Sequence, residues 1–295
     1  MQPKILITGA TAAVGTSLIK MLSAKGVEVR AAVHRTNKLE AIQGPNVEVA
    51  VVDYGRNDSL DAAFKGIETV YLLTPLLPEQ VGFSARLVDA AKRAGVRHIV
   101  RQSAIGADSK PGVTISRQHR DAERYIEAAR IPFTHLRPNF LMQNFFNYSG
   151  ISMVTHGKIY LPLAQASVSY IDARDVAAVA AEVLTGKGHE GKRYTLTGPA
   201  PLNVYEAAGI FTRATGVDIR YVEMSENEAR IKMKAMGMTD WTTESLMELY
   251  GVARAGAAAE VTDTVWEITG KRPGTFEEFA TANLAFFGIG LGKRR

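Results

Sequence analysis

The sequence predicts an α/β fold: a doubly wound parallel sheet with a smaller, mostly helical C-terminal part. Three observations carry this. Short β-branched runs alternate with amphipathic helical patterns through the first half of the chain, the pattern of successive βαβ units. The first unit turns on a glycine loop, Thr8-Gly9-Ala10-Thr11-Ala12-Ala13-Val14-Gly15. Past residue 150 the alternation lapses and helical periods dominate. The expected division is therefore a sheet domain over 1–150 and a smaller part over 151–295, some of whose strands return to the main sheet.

Composition bounds the reading. A chain of 295 residues, 46% hydrophobic and 22% charged, can bury a substantial core. It has no cysteine, which removes disulfides, thiolate metal sites and a cysteine nucleophile and suits a reducing cytoplasm. No apolar run reaches the roughly 18 residues that suggest a membrane span, and no signal-peptide pattern precedes the first strand. The net charge of +5 is modest and dispersed, part of it in the tail Lys293-Arg294-Arg295, expected to be a frayed end. It argues no nucleic-acid binding and is compatible with an anionic cofactor.

The elements follow in order. Ile5 to Thr8 reads as a buried strand that Gly9 breaks, and Val14, Leu18, Met21 and Leu22 then mark one face of a helix. Strand, glycine turn and helix N-terminus together suit a dinucleotide pyrophosphate, because unpaired backbone N–H groups and the positive dipole end meet there. Thr8, Gly9 and residues Thr11, Ala12, Ala13, Val14 and Gly15 are the candidate phosphate-side residues. The spacing G-x-x-A-x-x-G lacks a middle glycine, and the methyl of Ala12 is expected to weaken or displace that contact. Val27 to Val33 is the second strand, followed by His34 and Arg35. No acid occurs between Glu28 and Glu40, where a carboxylate would select the ribose 2′-hydroxyl of NAD. A guanidinium there pairs instead with a 2′-phosphate. The cofactor read is therefore NADP(H), with Arg35 as the main ligand and His34 or Lys38 as helpers.

Val47 to Val52 is the third strand, ending at Asp53-Tyr54, where an acid can accept from the adenine amino group. Asp58-Ser59 is expected to cap the next helix, read from Leu60, Ala63 and Phe64. Thr69 to Thr74 and His98 to Ser103 are further strands. Their carboxyl ends make Thr74, Pro75, Ser103 and Ala104 candidates to face the nicotinamide. Between them Glu79 to Ala94 is a helix closed by Gly95. Thr114 to Ala129 is the next helix and Pro132 to Pro138 the sixth strand. An aromatic helical stretch, Asn139 to Phe146, then opens.

Farther on, Val168 to Ile171 reads as a short strand, Asp172 to Leu184 as a helix and Arg193 to Thr197 as a strand. Helices are expected over 204–215, 226–236, 243–250, 261–268 and 276–286. Met233, Met236, Met238 and Trp241 form a candidate apolar pocket, although such a cluster is more often core.

As a set, Thr8-Gly-Ala-Thr-x-x-x-Gly15, the Asp53 strand end, Ile131-Pro-Phe-Thr-x-Leu-Arg-Pro138, Asn144-Phe145, Tyr170-Ile-Asp-x-x-Asp175, Tyr194-x-Leu-Thr-Gly198 and Thr269-Gly-x-x-Pro273…Phe276-x-x-Phe279 resemble the NmrA-like branch of the atypical short-chain dehydrogenases/reductases. The resemblance runs over nearly the whole chain. It implies a Rossmann fold and NAD(P) binding. It also implies either NADPH-dependent reduction of quinones, triphenylmethane dyes and azo compounds, or regulation by dinucleotide binding without turnover. The catalytic Tyr-x-x-x-Lys of the wider group is absent: Ile115 and His119 stand at those places, and His119 resembles the dye and quinone reductases of the branch.

Without that tyrosine, a simple ketone has no proton donor for its alkoxide. A quinone, azo bond or conjugated cation instead gives a delocalised or readily protonated product and mainly needs to stack on the nicotinamide. The expected activity is an NADPH-dependent reductase of such a small aromatic or conjugated acceptor, acting as a monomer or homodimer. The alternative is an NADP(H)-sensing regulator. His119 and Ser103 are the catalytic candidates, each also placed beside the cofactor. Phe140, Phe145 and Tyr170 are the candidate acceptor walls, with Phe146 a further one. The six histidines show no metal-ligand spacing, so no metal is expected.

Overall fold

Alternation is realised strand by strand in the computed structural model, which describes residues 4–35 and 39–288. In chain order β1 (Ile5–Ile7), α1 (Ala13–Ala24), β2 (Val29–Val33) and β3 (Val47–Val51) come first. Then follow α2 (Asn57–Phe64), β4 (Thr69–Leu72), α3 (Gln80–Arg93), β5 (His98–Gln102), α4 (Thr114–Ala128) and β6 (Phe133–Pro138). Next are α5 (Asn144–His156), β7 (Lys158–Leu161), α6 (Ala173–Thr185), β8 (Lys192–Leu196), α7 (Val204–Thr215) and β9 (Arg220–Glu223). Four helices close the chain: α8 (Glu226–Ala235), α9 (Asp240–Arg254), α10 (Thr264–Thr269) and α11 (Phe276–Ala282). No described helix is long and apolar enough to cross a membrane.

Seven strands form one sheet in the order β3-β2-β1-β4-β5-β6-β8, and every pairing in it is parallel. The strand order reverses direction between β1 and β4. That switch point leaves a crevice at the carboxyl ends of the strands, the ligand position of open α/β sheets. Strands covered on both faces lose the alternation of half-buried ones, and β1 and β2 are buried at every residue. One face is closed by a core that joins Leu6, Leu72 and Ile99 of the sheet to Leu60, Phe64, Leu87, Val88 and Ile126 of α2, α3 and α4.

The chain forms two compact units. The first runs to Pro138 and takes back Ala173–Leu196; the second holds Asn139–Asp172 and the chain from Thr197 onward. Where a division at residue 150 is expected from the sequence, the chain leaves the first unit at Pro138 and later returns α6 and β8 to it. The second unit has its own small parallel sheet of β7 and β9. Neither strand is legible beforehand, because each is only four residues with mixed exposure.

Three local expectations are corrected. Residues 168–171 do not form a strand: only isolated bridges join Leu141 to Ile171 and Val168 to Leu202. Asp58-Ser59 does not cap α2. The helix already starts at Asn57, Asp58 pairs with Arg56, and the Ser59 hydroxyl accepts from the Asp53 N–H. The aromatic helix starts at Asn144 rather than Asn139. The residues between are kept out of the helix, with Asn139 Nδ2 donating to the Ala258 carbonyl, Leu141 bridged to Ile171, and Met142 and Gln143 turning into α5.

One buried ion network ties α4 to β6. Glu123 is fully buried. Arg137 Nε donates to its Oε1 at 2.9 Å and Arg137 Nη2 to its Oε2 at 2.6 Å, while Arg120 Nη1 adds a third bond at 3.0 Å. Burial alone pushes the Glu123 carboxyl up, but the Arg137 hydrogen bonds and the surrounding positive charge outweigh it and hold the carboxyl at about 2. The folded value lies below the ordinary unfolded value of about 4.3. The stabilisation is therefore complete above that pH and is lost as pH falls toward 2. Glu123→Gln should cost about 3 kcal/mol at neutral pH, because it strands a buried guanidinium. In denaturant titrations the gap to the unsubstituted protein should close between pH about 4.3 and 2; a gap that stays constant with pH would show that packing, not charge, is lost.

Candidate active site

The site is built from the glycine loop. Gly9 lies at φ +63°, a left-handed conformation that L side chains rarely adopt. A Cβ there would also stand 2.8 Å from Leu73 Cδ2. Gly15, one turn into α1, packs so closely that a Cβ would strike the Gly9 carbonyl oxygen. These two glycines bring the helix N-terminus directly over the end of β1. Ala12, the N-cap, needs no such freedom: its φ of −76° and ψ of 160° suit any residue, and its exposed methyl clashes with nothing in the loop. It offers no side-chain cap, and the first turn of α1 holds no acid. The first-turn N–H groups, those of Ala13, Val14 and Gly15, are thus left for an anion to satisfy.

Thr8 does a different job from the one expected. It is fully buried. Its Oγ1 donates to the Leu73 carbonyl at 2.9 Å and accepts from the Leu73 N–H at 2.8 Å, latching β1 to the end of β4. Val14 likewise turns its side chain into the core. Both hold the loop in place rather than wall the space above it.

That space is a cavity of about 690 Å³ in the first unit, within the range of small-molecule and cofactor sites. Gly9, Thr11, Ala12, His34, Arg35, Asp53, Tyr54, Thr74 and Pro75 all line it, so most of the residues nominated from the sequence for the cofactor meet in one place. Arg35 is exposed at the end of β2, and Lys38 lies outside the described residues. His34 Nδ1 sits 3.3 Å from the Val52 carbonyl. Asp53 Oδ1 accepts from the Gly55 N–H at 2.8 Å, which orients its carboxylate. Burial pushes the Tyr54 hydroxyl up to about 12, against its hydrogen bonds with Thr8 and the Gly9 backbone. The Tyr54 and Phe83 rings stand 5.5 Å apart. Phe83, another lining residue, escaped the sequence reading because it falls within a helical period. Its signal is a large aromatic on the first turn of α3, where a helix with a fully apolar stripe would bury it.

The donor set fits a dinucleotide phosphate. Close-packed glycines, an uncapped helix N-terminus and a guanidinium face one cavity in which, among the described residues, Asp53 is the only lining carboxylate. The pyrophosphate would lie on the loop and a 2′-phosphate on Arg35.

Ser103 and His119 do not line this cavity. Both are buried, Ser103 just past the end of β5 and His119 on α4 beside Glu123. Burial drives the His119 imidazole down to about 3, and the nearby Arg101 charge lowers it further than Glu123 raises it. The ring is therefore neutral at physiological pH: it can exchange hydrogen bonds but carries no imidazolium proton. Arg101 itself was missed. It is completely buried on β5, and its Nη1 lies 3.3 Å from the Ser84 hydroxyl. Burial lowers its guanidinium to about 10, so it stays charged. An arginine inside the apolar run His98-Ile-Val-Arg-Gln102 was the available signal.

Glu123, Glu127 and His135 bring ligand-type atoms within 4.8 Å of one another, a grouping that sequence spacing does not reveal. Both carboxylates are already committed to guanidinium groups, Glu123 to Arg137 and Arg120, and Glu127 to Arg120 and Arg193. The arrangement is an ion network.

In the second unit, Phe140, Phe145 and Tyr170 line one cavity of about 40 Å³. Phe145 is core as well as wall, packed on Tyr170, Phe211 and Phe276. Phe146 packs on Phe211, Phe279 and Phe286 and does not line the cavity. Met233, Met236 and Met238 line a neighbouring cavity of about 20 Å³; Trp241 is not among its walls.

Comparison with known proteins agrees with this geometry. The model of the NmrA-like family matches residues 1–280. An NAD(P)H azoreductase of Xenophilus azovorans is 36% identical over 284 residues, spanning 96% of this chain and 99% of that protein. The NADPH-dependent quinone oxidoreductase of Escherichia coli, solved with NADPH, has a TM-score of 0.83 and 26% identity, with 94% of this chain and 99% of that one covered. The triphenylmethane reductase of Citrobacter sp., solved with NADP(H), has a TM-score of 0.81 and 26% identity, with 95% and 99% covered.

The neutral state of His119 is directly measurable. In proton NMR, the resonance that disappears in His119→Gln should show no titration between pH 5 and 8. A midpoint near the ordinary histidine value of about 6.5 would show that the imidazole is solvated rather than buried beside Arg101.

Proposed function

The chain belongs to the NmrA-like family, and from that premise we propose an NADPH-dependent reductase that passes a hydride to a conjugated acceptor of the quinone, azo or triphenylmethane type. The observation that carries the cofactor half is the cavity that joins the glycine loop to Arg35. When bound there, NADPH supplies the hydride. The chain's own part is to bind and orient. The loop and the α1 N-terminus take the pyrophosphate, and Arg35 takes the 2′-phosphate in a charge-assisted contact. Asp53 takes the adenine amino group, and Thr74 and Pro75 supply wall toward the nicotinamide end. Ser103 and His119 are buried and do not line the cavity, so they take no direct part in holding the cofactor. The methyl of Ala12 lowers affinity modestly without deforming the loop.

The acceptor half rests on chemistry. The Tyr-x-x-x-Lys pair is replaced by Ile115 and His119, and His119 is held neutral. Such a site favours acceptors whose reduced product is delocalised or takes its proton from water, and disfavours simple ketones. The named relatives, an azoreductase, a quinone oxidoreductase and a triphenylmethane reductase, support the same class. Phe140, Phe145 and Tyr170 supply the acceptor's apolar walls.

Two measurements test this reading. NADPH oxidation should be sustained with at least one member of a panel of quinones, azo dyes and triphenylmethane dyes. Tight NADPH binding with no turnover across the panel would instead favour the dinucleotide-sensing alternative. For cofactor choice, Arg35→Ala should weaken NADPH binding about tenfold to a hundredfold in calorimetric titration, the cost of losing charge-assisted bonds. NADH binding should change less than about twofold. Equal losses for the two cofactors would remove Arg35 from the 2′-phosphate.

A further inference from the structure

The second-unit cavity has a buried floor and a half-buried rim. Phe145, Tyr170 and Tyr250 form the floor, each less than one-tenth exposed. Phe140, Asn144 and Tyr148 form part of the rim. At a volume of about 40 Å³ it has room for a water or a single carbonyl group, but not for a ring. Three phenols meet around this small space: the hydroxyls of Tyr148 and Tyr170 act electrostatically on that of Tyr250.

One of them is orphaned. The Tyr170 hydroxyl is buried and has no hydrogen-bond partner among the described residues. Leaving a buried hydroxyl unsatisfied costs about 1–3 kcal/mol, and native proteins rarely leave such a group without a partner. The neighbouring Tyr221 shows the alternative. Its hydroxyl donates to the Leu161 carbonyl at 2.7 Å and accepts from the Leu163 N–H at 3.3 Å. Tyr170 could have been tied the same way and is not. Nor is it loosely placed. The Ile171 N–H donates to the Phe140 carbonyl at 2.9 Å, the Met142 N–H donates to the Ile171 carbonyl at 2.9 Å, and the Tyr170 ring rests on Phe145 at 5.1 Å. The hydroxyl is a fixed donor beside an apolar pit.

We propose that the Tyr170 hydroxyl is the hydrogen-bond donor to a carbonyl oxygen of the acceptor, whose oxygen end enters the cavity while its ring stays at the Phe140–Tyr148 rim. This rests on the reductase reading and refines it: the site prefers acceptors that carry a carbonyl over those that carry none. Room for rings of different size comes from the adjoining cavity, which shares Tyr148, Leu161 and Tyr250 and is walled by Met224, Met233, Met236 and Met238, side chains that repack readily. Burial pushes the Tyr170 phenol up from its ordinary value, so it keeps its proton and polarises the carbonyl rather than protonating it. The reaction balances without it: NADPH gives the hydride and leaves as NADP+, the one proton that the reduced product needs comes from water, and the Tyr170 O–H bond is not broken.

The test is Tyr170→Phe, which retains the ring and removes the hydroxyl. The value of kcat/KM for naphthoquinone, divided by that for the malachite green cation, which has no carbonyl, should fall about tenfold, the worth of one buried hydrogen bond. An unchanged ratio overturns the proposal, since a merely structural role would lower both acceptors together. If the unsubstituted protein reduces neither acceptor, no ratio is read, and the reductase reading stands or falls on the wider panel of quinones and dyes. Calorimetry with NADP+-loaded protein then decides the site separately. Naphthoquinone binding weakened about tenfold in Y170F supports it. Equal binding, or none, overturns it and leaves an internal water as the partner of Tyr170. Should Y170F not fold, difference infrared spectroscopy of naphthoquinone on the unsubstituted protein replaces it. One carbonyl stretch moved to lower frequency supports the proposal, and two unshifted stretches overturn it.

Discussion

Everything at the cofactor end depends on one close approach, that of the Gly9 carbonyl oxygen to the α-carbon of Gly15. A side chain at Gly15 would push the end of β1 away from the N-terminus of α1, and one at Gly9 would strike the Leu73 side chain. Because the two stay in contact, the first-turn N–H groups of the helix converge on the point where the sheet's strand order reverses. The Thr8 hydroxyl, bonded on both sides to Leu73, fixes the same loop to β4. The cavity above it is therefore a consequence of backbone packing, and the side chains at its walls need only choose which nucleotide it suits. Among the described residues Arg35, at the end of β2, is the cation that lines it, and no carboxylate stands between Glu28 and Glu40.

A second constraint lies beneath the carboxyl ends of β5 and β6. Arg101, Arg120 and Arg137 surround Glu123, so guanidinium groups outnumber the carboxylate that is buried among them. Desolvation, with the Arg101 charge added to it, keeps His119 neutral, and burial lowers His135 to about 4 against the opposing effect of Glu123 and Glu127. The same network supplies the rigidity that orients α4 on the sheet. Rigidity and acid–base chemistry compete here: a histidine packed this well cannot gain a proton near neutral pH. A reductase of acceptors that take their proton from water can use such a site; a ketone reductase cannot.

Much of the fold is legible residue by residue. The sheet strands and α1, α3, α4 and α7 fall within a residue or two of their expected limits, because β-branched runs set between glycine turns and amphipathic helices advertise their period. The failures share a cause. Residues 168–171 look like a strand by composition yet only bridge, and β7 and β9 pair although each has only four residues. In both cases pairing is decided by what lies alongside, which local pattern does not encode. The cofactor site was similarly legible where a single backbone segment carries it, as in Gly9, Ala12, Arg35, Asp53, Thr74 and Pro75. It was illegible where a side chain's role depends on remote neighbours, as with Thr8, which latches strands, Phe83, which joins the cavity from α3, and Arg101.

The sequence by itself determined the α/β class, the glycine turn and the absence of an acid between Glu28 and Glu40, since each is a matter of residue identity and spacing. Only the tertiary structure decided the protonation of His119 and left the Tyr170 hydroxyl without a partner among the described residues. Those properties arise from desolvation and from charges or bonds contributed by distant segments: Arg101 and Glu123 for the histidine, and the packing of Phe145 and Phe276 around the tyrosine. A residue's chemistry depends on its surroundings, and the surroundings exist only once the chain has folded.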